Sequence, residues 1–313
     1  FMDWKKPLLT DSGGFQAFSL GLGREHGTGK MYFQGGVEVL KKPERSNAII
    51  AEEGIHFRSV YDQSSHLLTP ESSIKIQEQL GADMILALDE CTSPLSEKKY
   101  VAESLERTNR WAVRSIEAHK TKQALAGIIQ GSQWKDLREK SAEFICSQKF
   151  DSIAIGGSLG KSKKDMHNII DWVKPFLPEE KPRHLLGIGV VEDLFEGVER
   201  GIDLFDCVSP TRMARTGFAY ITPPVGNKKN KYKYKLSGAN HKHDNKPIDP
   251  NCSCKVCKRH SRAYINHLFK ARELLAYQLT SYHNIHFFLQ LMRDIRQSIE
   301  DSKFGDLKKE WGL

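Results

Sequence analysis

The sequence predicts an α/β fold in which strands and helices alternate around a parallel sheet. Apolar runs such as residues 84–88 and 153–155 end in polar or glycine residues, and a stretch of helical periodicity follows each one. These units recur at intervals of roughly thirty residues, which is typical of a βα-repeat. A repeat of this kind that closes on itself forms a (β/α)8 (TIM) barrel, whose chemistry gathers at the carboxyl ends of the strands. Five residues occupy those positions: Asp11, Asp89, Gln130, Gly157 and Asp206.

The predicted strands are short apolar runs that end in a carboxylate, an amide or glycine. Their segments, in chain order, are residues 8–16, 84–92, 126–131, 153–157, 185–189 and 201–206. The predicted helices that follow them are residues 100–119, 135–147, 166–176 and 191–200. Two segments near the C-terminus also carry apolar residues at helical spacing and are expected to pack in a core: residues 261–279 and 284–299.

Asp206 ends one of these runs and is followed by Pro210, Arg212 and Arg215. A carboxylate at the end of a buried strand is poorly solvated, and burying its charge is costly without a partner or a function. The two arginines supply positive charge suited to a phosphate backbone. Taken alone, Asp206 fits a strand-ending residue that caps the next turn, but five polar or glycine strand ends are hard to explain as five separate caps.

The composition favours a polyanionic partner. The chain has 313 residues, enough for a barrel with one appended subdomain, and its 47 Lys and Arg against 39 Asp and Glu give a net charge of +8. This balance is common in nucleic-acid-binding proteins, although many basic proteins bind no nucleic acid. No apolar run approaches membrane-spanning length and no signal peptide is visible, so we expect a cytoplasmic protein without a membrane partner.

Three cysteines in the pattern Cys-x-Cys-x-x-Cys, at Cys252, Cys254 and Cys257, predict a metal site. Together with one histidine they would complete a closed tetrahedral zinc site of the structural kind, which leaves no position for water. A disulfide is a poor alternative in a chain without an export signal, and a redox role for Cys254 and Cys257 is the other alternative. Spacing alone does not choose among four histidines: His260, His267, His283 and His286.

Several stretches that follow one another in the order of a known family cover nearly the whole chain. They are residues 10–16, 88–92, 130–132, 156–157, 197–201 and 205–215, together with the Cys/His set near the C-terminus. On these stretches the chain resembles the tRNA-guanine transglycosylase (queuine tRNA-ribosyltransferase) family, bacterial type. The resemblance implies a barrel with a C-terminal zinc-binding subdomain, His283 as the fourth ligand and one structural Zn²⁺ per chain. Because family members usually carry several tens of residues before this point, we expect the chain to be truncated at its N-terminus and to lack the first barrel strand.

The resemblance also implies a reaction. Family members exchange the wobble guanine of the tRNA anticodon for a free 7-deazaguanine base, either queuine or its 7-aminomethyl precursor, through a covalent ribosyl-aspartate intermediate. Asp206 is then the nucleophile and Asp11 the general acid and base. The residues implied in binding the base are Ser12, Phe15, Asp89, Gln130, Gly157, Leu186 and Gly187. Those implied in binding the anticodon loop are Arg212 and Arg215.

The resemblance further implies a homodimer. In the family, the helix next to the zinc site helps to form the contact between subunits. Tyr264 and His267 match positions there, whereas His260 stands where relatives often have an aromatic residue. We therefore expect a homodimer with an altered contact at His260.

Two segments are rich in lysine. Residues 228–246 contain seven lysines with Tyr232 and Tyr234 among them, and form either a solvated loop or a surface that follows phosphates. Residues 21–47 interrupt the family pattern and are expected to be an exposed insertion.

The predicted organisation is a catalytic barrel at residues 1–222, a basic and zinc-binding subdomain at 223–290, and a C-terminal helix and tail at 291–313.

One stretch departs from the family pattern. Where bacterial relatives follow the Gly-Gly pair with Leu-Ala-Val-Gly-Glu, this chain has Ser158-Leu159-Gly160-Lys161, one residue shorter and with lysine in place of the acid. The loss of that acid weakens the case for the cationic precursor and favours queuine.

Two other functions remain as alternatives: a non-catalytic tRNA-binding subunit of the same fold, and a glycosidase barrel with two carboxylates.

Overall fold

A computed structural model describes residues 2–16, 48–59, 61–157, 159–160 and 162–313. The chain divides into two compact units. The first comprises Phe1–Gly187 and Gly197–Phe205, and the second Ile188–Glu196 and Asp206–Leu313. The expected insertion at residues 21–47 lies outside the described residues, and the domain boundaries at residues 222 and 290 stay a prediction.

The first unit contains a three-stranded antiparallel sheet that the sequence did not predict. Its strands, in the order of their pairing, are β1 (Ala48–Ile50), β2 (Ile55–Arg58) and β3 (Ser65–Leu68). Ile55 pairs with Leu68 across the sheet, and both pack against Leu88 and Trp111. The prediction followed apolar runs that lead into helices, whereas β1 to β3 are joined by short connections without a helix, which explains the omission.

The centre of the first unit is a parallel sheet whose five strands lie side by side in chain order. They are β4 (Met84–Leu86), β5 (Ala124–Ile129), β6 (Ser152–Ile155), β7 (Arg183–Leu185) and β8 (Leu204–Phe205). Leu9 forms a parallel bridge with Met84, and the Thr10 N–H donates to the Met84 carbonyl over 3.1 Å. The sheet curls as half of a (β/α)8 barrel, and the predicted α/β class is confirmed.

Four helices between these strands follow the predicted pattern to within three residues, and one further helix, α1 (Pro70–Leu80), precedes β4. The four are α2 (Lys98–Ala118), α3 (Lys135–Ser147), α4 (Lys163–Val173) and α5 (Val191–Glu199). Helix α1 was absent from the prediction, yet its start is well marked: the Thr69 and Ser72 side chains cap each other's backbone N–H groups, and Pro70 follows. It ends at Gly81, whose φ is 74°.

The second unit combines a short hairpin with helices. Its elements are α6 (Ser209–Arg215), β9 (Phe218–Tyr220), β10 (Lys233–Lys235), α7 (Lys255–Arg259), α8 (Arg262–Lys270), α9 (Leu274–Glu300) and α10 (Phe304–Glu310). The predicted division of the tail helices is wrong, because α8 ends at Lys270 and α9 begins at Leu274. Arg272 between them has a left-handed φ of 59°, which no helix interior accommodates.

Helix α9 is 27 residues long. Neither α9 nor any other helix within the described ranges is both long enough and apolar enough to cross a membrane.

Candidate active site and metal centre

Three of the predicted base-binding residues meet in the first unit. Asp89 and Gln130 follow the neighbouring strands β4 and β5, and both side chains are buried. The Gln130 side-chain amide donates to one carboxylate oxygen of Asp89. The Ser12 hydroxyl donates to the other over 3.4 Å. A buried carboxylate, amide and hydroxyl therefore form one connected polar group after the strands of the sheet.

Glycine is required beside this group. Gly157 has a left-handed φ of 71°, and a Cβ atom there would collide with Oε1 of Gln130. A Cβ atom on Gly14 would likewise collide with the backbone and side-chain oxygens of Asp89. Oε1 of Gln130 is buried and has no hydrogen-bond partner within the described part of the chain. The two glycines thus let buried oxygen atoms of Gln130 and Asp89 lie directly against the backbone.

The remaining first-unit candidates surround this group less tightly. Asp11 is exposed, and its carboxylate accepts the Ser12 N–H over 2.8 Å. Phe15 is half-buried. Leu186 packs partly buried on the apolar cluster beneath the strand ends, and Gly187 after it has a φ of 73°. Asp11 therefore has access to solvent, whereas Asp89 does not.

Gln77 supports the site from α1 and was missed by the sequence analysis. Its Oε1 accepts the Leu86 N–H over 2.9 Å and the Thr10 hydroxyl over 3.1 Å, and its Nε2 donates to the Leu86 carbonyl over 2.8 Å. One buried amide thus joins the segment before Asp11 to the strand that leads to Asp89. No sequence signal distinguishes a glutamine of this kind from an exposed one.

Arg138 supports the next two strand ends. Its guanidinium is fully buried and donates to the carbonyl oxygens of Ser132 (2.8 Å), Ile129 (3.0 Å) and Gly156 (2.9 Å). The loss of solvation lowers the pKa of Arg138 to about 9. The carbonyl groups of the residues before Gln130 and Gly157 thereby both accept hydrogen bonds from the Arg138 side chain. A charged residue in the otherwise apolar stripe of α3 was a signal that the sequence offered.

Glu90, next to Asp89, is fixed by a buried ion pair. Its carboxylate contacts the Arg107 guanidinium and accepts the Tyr100 hydroxyl over 2.6 Å. Its N–H donates to the Thr108 hydroxyl over 3.1 Å. Because Glu90 is held on both its side chain and its backbone, the peptide that carries Asp89 has little freedom to move.

In the second unit, Asp206 directly follows strand β8. Asp206 is exposed, which corrects the expectation of a poorly solvated carboxylate. Strand β8 is only two residues long, and both are half-buried, so the run does not form the long buried strand that the prediction assumed. Arg212 and Arg215 are both exposed in the last turn of α6, three residues apart and hence on one face.

The Cys/His set forms one cluster. The sulfur atoms of Cys252, Cys254 and Cys257 lie 3.7, 3.6 and 3.3 Å from Nδ1 of His283. All four ligand atoms lie within 4.8 Å of one another. Three thiolates and an imidazole at such separations fit a tetrahedral Zn²⁺. Of the residues that the structure describes, these four are the group arranged to hold a metal ion.

The environment of His283 selects the nitrogen that faces the thiols. Its Nε2 lies 2.8 Å from the carbonyl oxygen of Tyr220, which can only accept, so Nε2 carries the proton and Nδ1 is free to bind metal. Burial lowers the pKa of His283, but hydrogen bonds with Cys252 and Cys254 outweigh it and raise the pKa to about 9. Hydrogen bonds from the Cys252 and Cys257 side chains lower the pKa of Cys254.

The other histidines do not join the four ligands. His286 approaches Cys252 alone, with Nδ1 3.6 Å from the sulfur. His260 stacks on Tyr264 with ring centroids 5.1 Å apart. His267 is exposed on α8. The structure therefore resolves the choice that the spacing left open.

The lysine-rich segment at residues 228–246 is mostly exposed. Six of its lysines are exposed: Lys228, Lys229, Lys231, Lys235, Lys242 and Lys246. Its two tyrosines are structural instead. The Tyr232 hydroxyl donates to the Trp311 carbonyl over 2.6 Å, and that of Tyr234 donates to the Ile248 carbonyl over 2.5 Å. The segment thus offers charge, while its aromatic rings belong to the interior.

The whole chain can now be compared with known proteins. Residues 1–312 match the sequence profile of the family described as Queuine tRNA-ribosyltransferase. The chain belongs to the queuine tRNA-ribosyltransferase family. The family predicted from the sequence motifs is thereby confirmed.

Individual members of the queuine tRNA-ribosyltransferase family align along almost all of the chain. A putative queuine tRNA-ribosyltransferase of Archaeoglobus fulgidus is 49% identical over 99% of this chain and 79% of its own length. The queuine tRNA-ribosyltransferase of Halothermothrix orenii is 45% identical over 99% of this chain and 75% of its own length. The queuine tRNA-ribosyltransferase of Fusobacterium nucleatum is 42% identical over 99% of this chain and 76% of its own length.

Proposed function

We propose that the protein is a tRNA-guanine transglycosylase, a pentosyltransferase that exchanges the wobble guanine of a tRNA anticodon for a 7-deazaguanine base in queuosine modification. The observation that carries the proposal is the buried pair of Asp89 and Gln130, in a family member that also retains Asp11 and Asp206. A non-catalytic tRNA-binding subunit would have no need to keep two carboxylates after strands of the parallel sheet. A glycosidase barrel would not account for the family membership or for the zinc cluster.

The proposed base site reads guanine through its polar edge. Asp89 accepts the N–H groups of the ring, and the Gln130 amide and the Gly157 N–H contact its carbonyl oxygen. In the structure Gln130 donates to Asp89, so an entering base must replace that bond and pair with both residues. Oε1 of Gln130, which has no hydrogen-bond partner in the described part of the chain, lies beside the proposed position of the base. Because these groups are buried, a base that leaves one of them unpaired is strongly disfavoured.

The base is enclosed by apolar contacts in the same proposal. Phe15 stacks on the flipped-out base, while Leu186 and Gly187 line the opposite side of its binding space, and Ser12 holds the Asp89 carboxylate in position. Arg212 and Arg215 on α6 contact the bases or phosphates of the anticodon loop. The exposed lysines of residues 228–246 add attraction for the tRNA backbone that does not depend on sequence.

The first half of the reaction breaks the glycosidic bond. Positive charge develops on the ribose as guanine departs, and the Asp206 carboxylate attacks C1′ to form an ester bond. The electron pair of the broken bond stays on the departing base, which Asp11 protonates. The ribosyl-aspartate ester keeps the tRNA strand intact while the bases exchange.

The second half reverses these steps with the new base. Asp11, now a carboxylate, removes the ring N–H proton of the deazaguanine, whose nitrogen attacks C1′. The ester breaks, and its electron pair returns to the Asp206 carboxylate.

The proposal includes a structural zinc ion and a homodimer. Cys252, Cys254, Cys257 and His283 would hold one Zn²⁺, which stabilises the fold around it and supplies no open position for chemistry. Tyr264 is 39% exposed beside His260, and the dimer contact is proposed to include this pair and His267.

The incoming base is proposed to be queuine. The argument rests on the sequence Ser158-Leu159-Gly160-Lys161, in which Ser158 and Lys161 lie outside the described residues. A desolvated aminomethyl cation without a paired carboxylate is costly, and a positive side chain nearby increases that cost. Queuine, which is bulkier, packs more favourably if the shorter stretch leaves more room.

Incubation of the protein with tRNA and radiolabelled guanine tests the proposed activity. A transglycosylase transfers label into intact tRNA, and unlabelled deazaguanine then replaces it. Retention of tRNA without transfer of label would indicate the non-catalytic subunit, and hydrolysis of a labelled glycoside supplied in a parallel reaction without tRNA would indicate the glycosidase. Either result would overturn the proposal.

A further inference from the structure

Asn284 in the middle of α9 is fully buried, and both ends of its amide are used. Its Nδ2 donates to the carbonyl oxygens of Pro210 and Phe218 over 2.9 and 3.0 Å. Its Oδ1 accepts the Tyr220 N–H over 3.0 Å. One side chain thus joins the start of α6 to strand β9, and its removal would leave three backbone groups without this partner, of which the Tyr220 N–H is buried.

Tyr220 extends the connection in both directions. Its carbonyl accepts from His283, the residue before Asn284, so two consecutive residues of α9 hold both backbone groups of Tyr220. Its buried hydroxyl lies 2.6 Å from the Ser209 hydroxyl. The Ser209 N–H in turn donates to the sulfur of Cys207 over 3.3 Å. A continuous series of hydrogen bonds therefore runs from a zinc ligand to the residue next to Asp206.

The amide at this position stabilises the fold by pairing these backbone groups, and it also specifies where they lie. An apolar side chain would do neither. The partners here are the backbone on either side of Arg212 and Arg215, immediately after Asp206. A displacement of about 1 Å at a reacting group can lower a rate by about 100-fold.

We infer that Asn284 is a positioning residue that, together with His283 and Tyr220, sets the orientation of the Asp206 segment from the zinc centre. The inference rests on the proposed role of Asp206 as nucleophile. In this account Asn284, His283 and Tyr220 affect the rate of ribosyl transfer through the register of α9 against β9 and α6, while making no contact with substrate.

A matched pair of variants tests the inference. Asn284→Leu removes the three hydrogen bonds. Asn266→Leu is the control, because Asn266 is also a buried asparagine, whose Nδ2 donates to the Leu236 and Gly238 carbonyls over 2.7 and 2.8 Å. The rate of covalent adduct formation is measured in a single turnover at saturating tRNA, alongside zinc content, melting temperature and KM. We expect the rate of Asn284→Leu to fall by about 10-fold to 100-fold with zinc and KM nearly unchanged, and that of Asn266→Leu to stay within about 2-fold.

A milder pair covers the case in which Asn284→Leu does not fold. Tyr220→Phe removes only the contact with Ser209, and Tyr234→Phe removes a hydroxyl of a half-buried tyrosine that donates to the Ile248 carbonyl. We expect adduct formation to slow by about 3-fold to 10-fold in Tyr220→Phe alone. Equal rates within the folded pairs, Asn284→Leu with Asn266→Leu or Tyr220→Phe with Tyr234→Phe, overturn the inference. Absence of any adduct in the unmodified protein would instead refute the role of Asp206, and the positioning role with it.

Discussion

Asp89 accepts a hydrogen bond from the Gln130 side chain, and both residues are buried at the ends of neighbouring parallel strands. The pair combines an acceptor for N–H groups with an amide that can donate or accept. Such complementarity to the edge of a purine is available here because Gln77 and Arg138 fix the strand ends from behind. Under the proposed function, recognition of the base would therefore also depend on Gln77 and Arg138, which would not contact it.

The space beside Gln130 should be sensitive to a single methyl group. We predict that Gly157→Ala weakens guanine binding by about 10-fold to 100-fold, because the new Cβ atom displaces the Gln130 amide. Isothermal titration with guanine measures the change.

Gly81→Ala is the control for that substitution. Gly81 has a similar left-handed φ of 74°, but a Cβ atom there meets nothing within 4 Å. Both variants should lose about 1 kcal/mol of unfolding free energy to the left-handed backbone, Gly157→Ala should lose more because of the collision with Gln130, and only Gly157→Ala should lose affinity. Equal affinities in the two variants would contradict the assignment of Gly157 to the base site.

The metal should be bound at one equivalent and should stabilise the second unit. We predict that a strong chelator lowers the melting temperature by roughly 10 °C or more, because metal binding and folding are coupled at closed Cys/His sites. Calorimetry, together with elemental analysis of the dialysed protein, checks both statements. A chelated protein with unchanged melting behaviour would show that the ion does not hold the fold.

Two histidine variants distinguish the fourth ligand. His283→Ala should lose bound zinc, whereas His286→Ala should retain one equivalent, since His286 approaches Cys252 alone. Loss of zinc from His286→Ala with retention in His283→Ala would reverse the assignment.

The lysine-rich segment should contribute to the salt dependence of tRNA binding. Replacement of Lys228, Lys229, Lys231 and Lys235 by Gln should reduce the slope of log affinity against log salt by about 0.7 to 0.9 for each phosphate that is no longer neutralised. The control replaces four other exposed lysines and changes net charge equally: Lys99, Lys120, Lys122 and Lys149. A slope that falls equally in both variants would assign the effect to net charge instead of this segment.

The preference for the incoming base should follow the charge at residue 161. We predict that the unmodified protein incorporates queuine in preference to the aminomethyl precursor, and that Lys161→Glu shifts the ratio of specificity constants toward the precursor by about 10-fold or more. Competition of the two bases on one tRNA measures the ratio. Lys164→Glu makes the same charge change at an exposed position of α4 and should leave it unaltered.

Much of this account could be predicted from the sequence because its signals are local. A strand end is marked by a polar residue after an apolar run, and a zinc site by the spacing of three cysteines. The predictions of the α/β barrel, of the helices that follow the strands and of the family were confirmed. These features depend on neighbours in the sequence, so periodicity and spacing record them.

The remaining features depend on distant contacts. The exposure of Asp206 follows from the shortness of β8, and the interior positions of Tyr232 and Tyr234 depend on Trp311 and Ile248. The break between α8 and α9 occurs at Arg272, a single residue in the left-handed conformation, and no glycine or proline signals it in the sequence. Gln77 and Asn284 become informative only when the carbonyl and N–H groups that they bind are known, since a buried amide resembles an exposed one in sequence.

The central claim is that Asp206 forms a covalent bond with the ribose of tRNA. The most direct measurement incubates the protein with end-labelled tRNA and 9-deazaguanine as an unreactive base mimic, denatures the mixture and separates protein-bound label by electrophoresis. The account predicts a denaturation-resistant adduct with the unmodified protein, and at least about 1000-fold less with Asp206→Asn, which keeps the shape of the side chain and removes its charge. A stable adduct formed by Asp206→Asn would contradict the account.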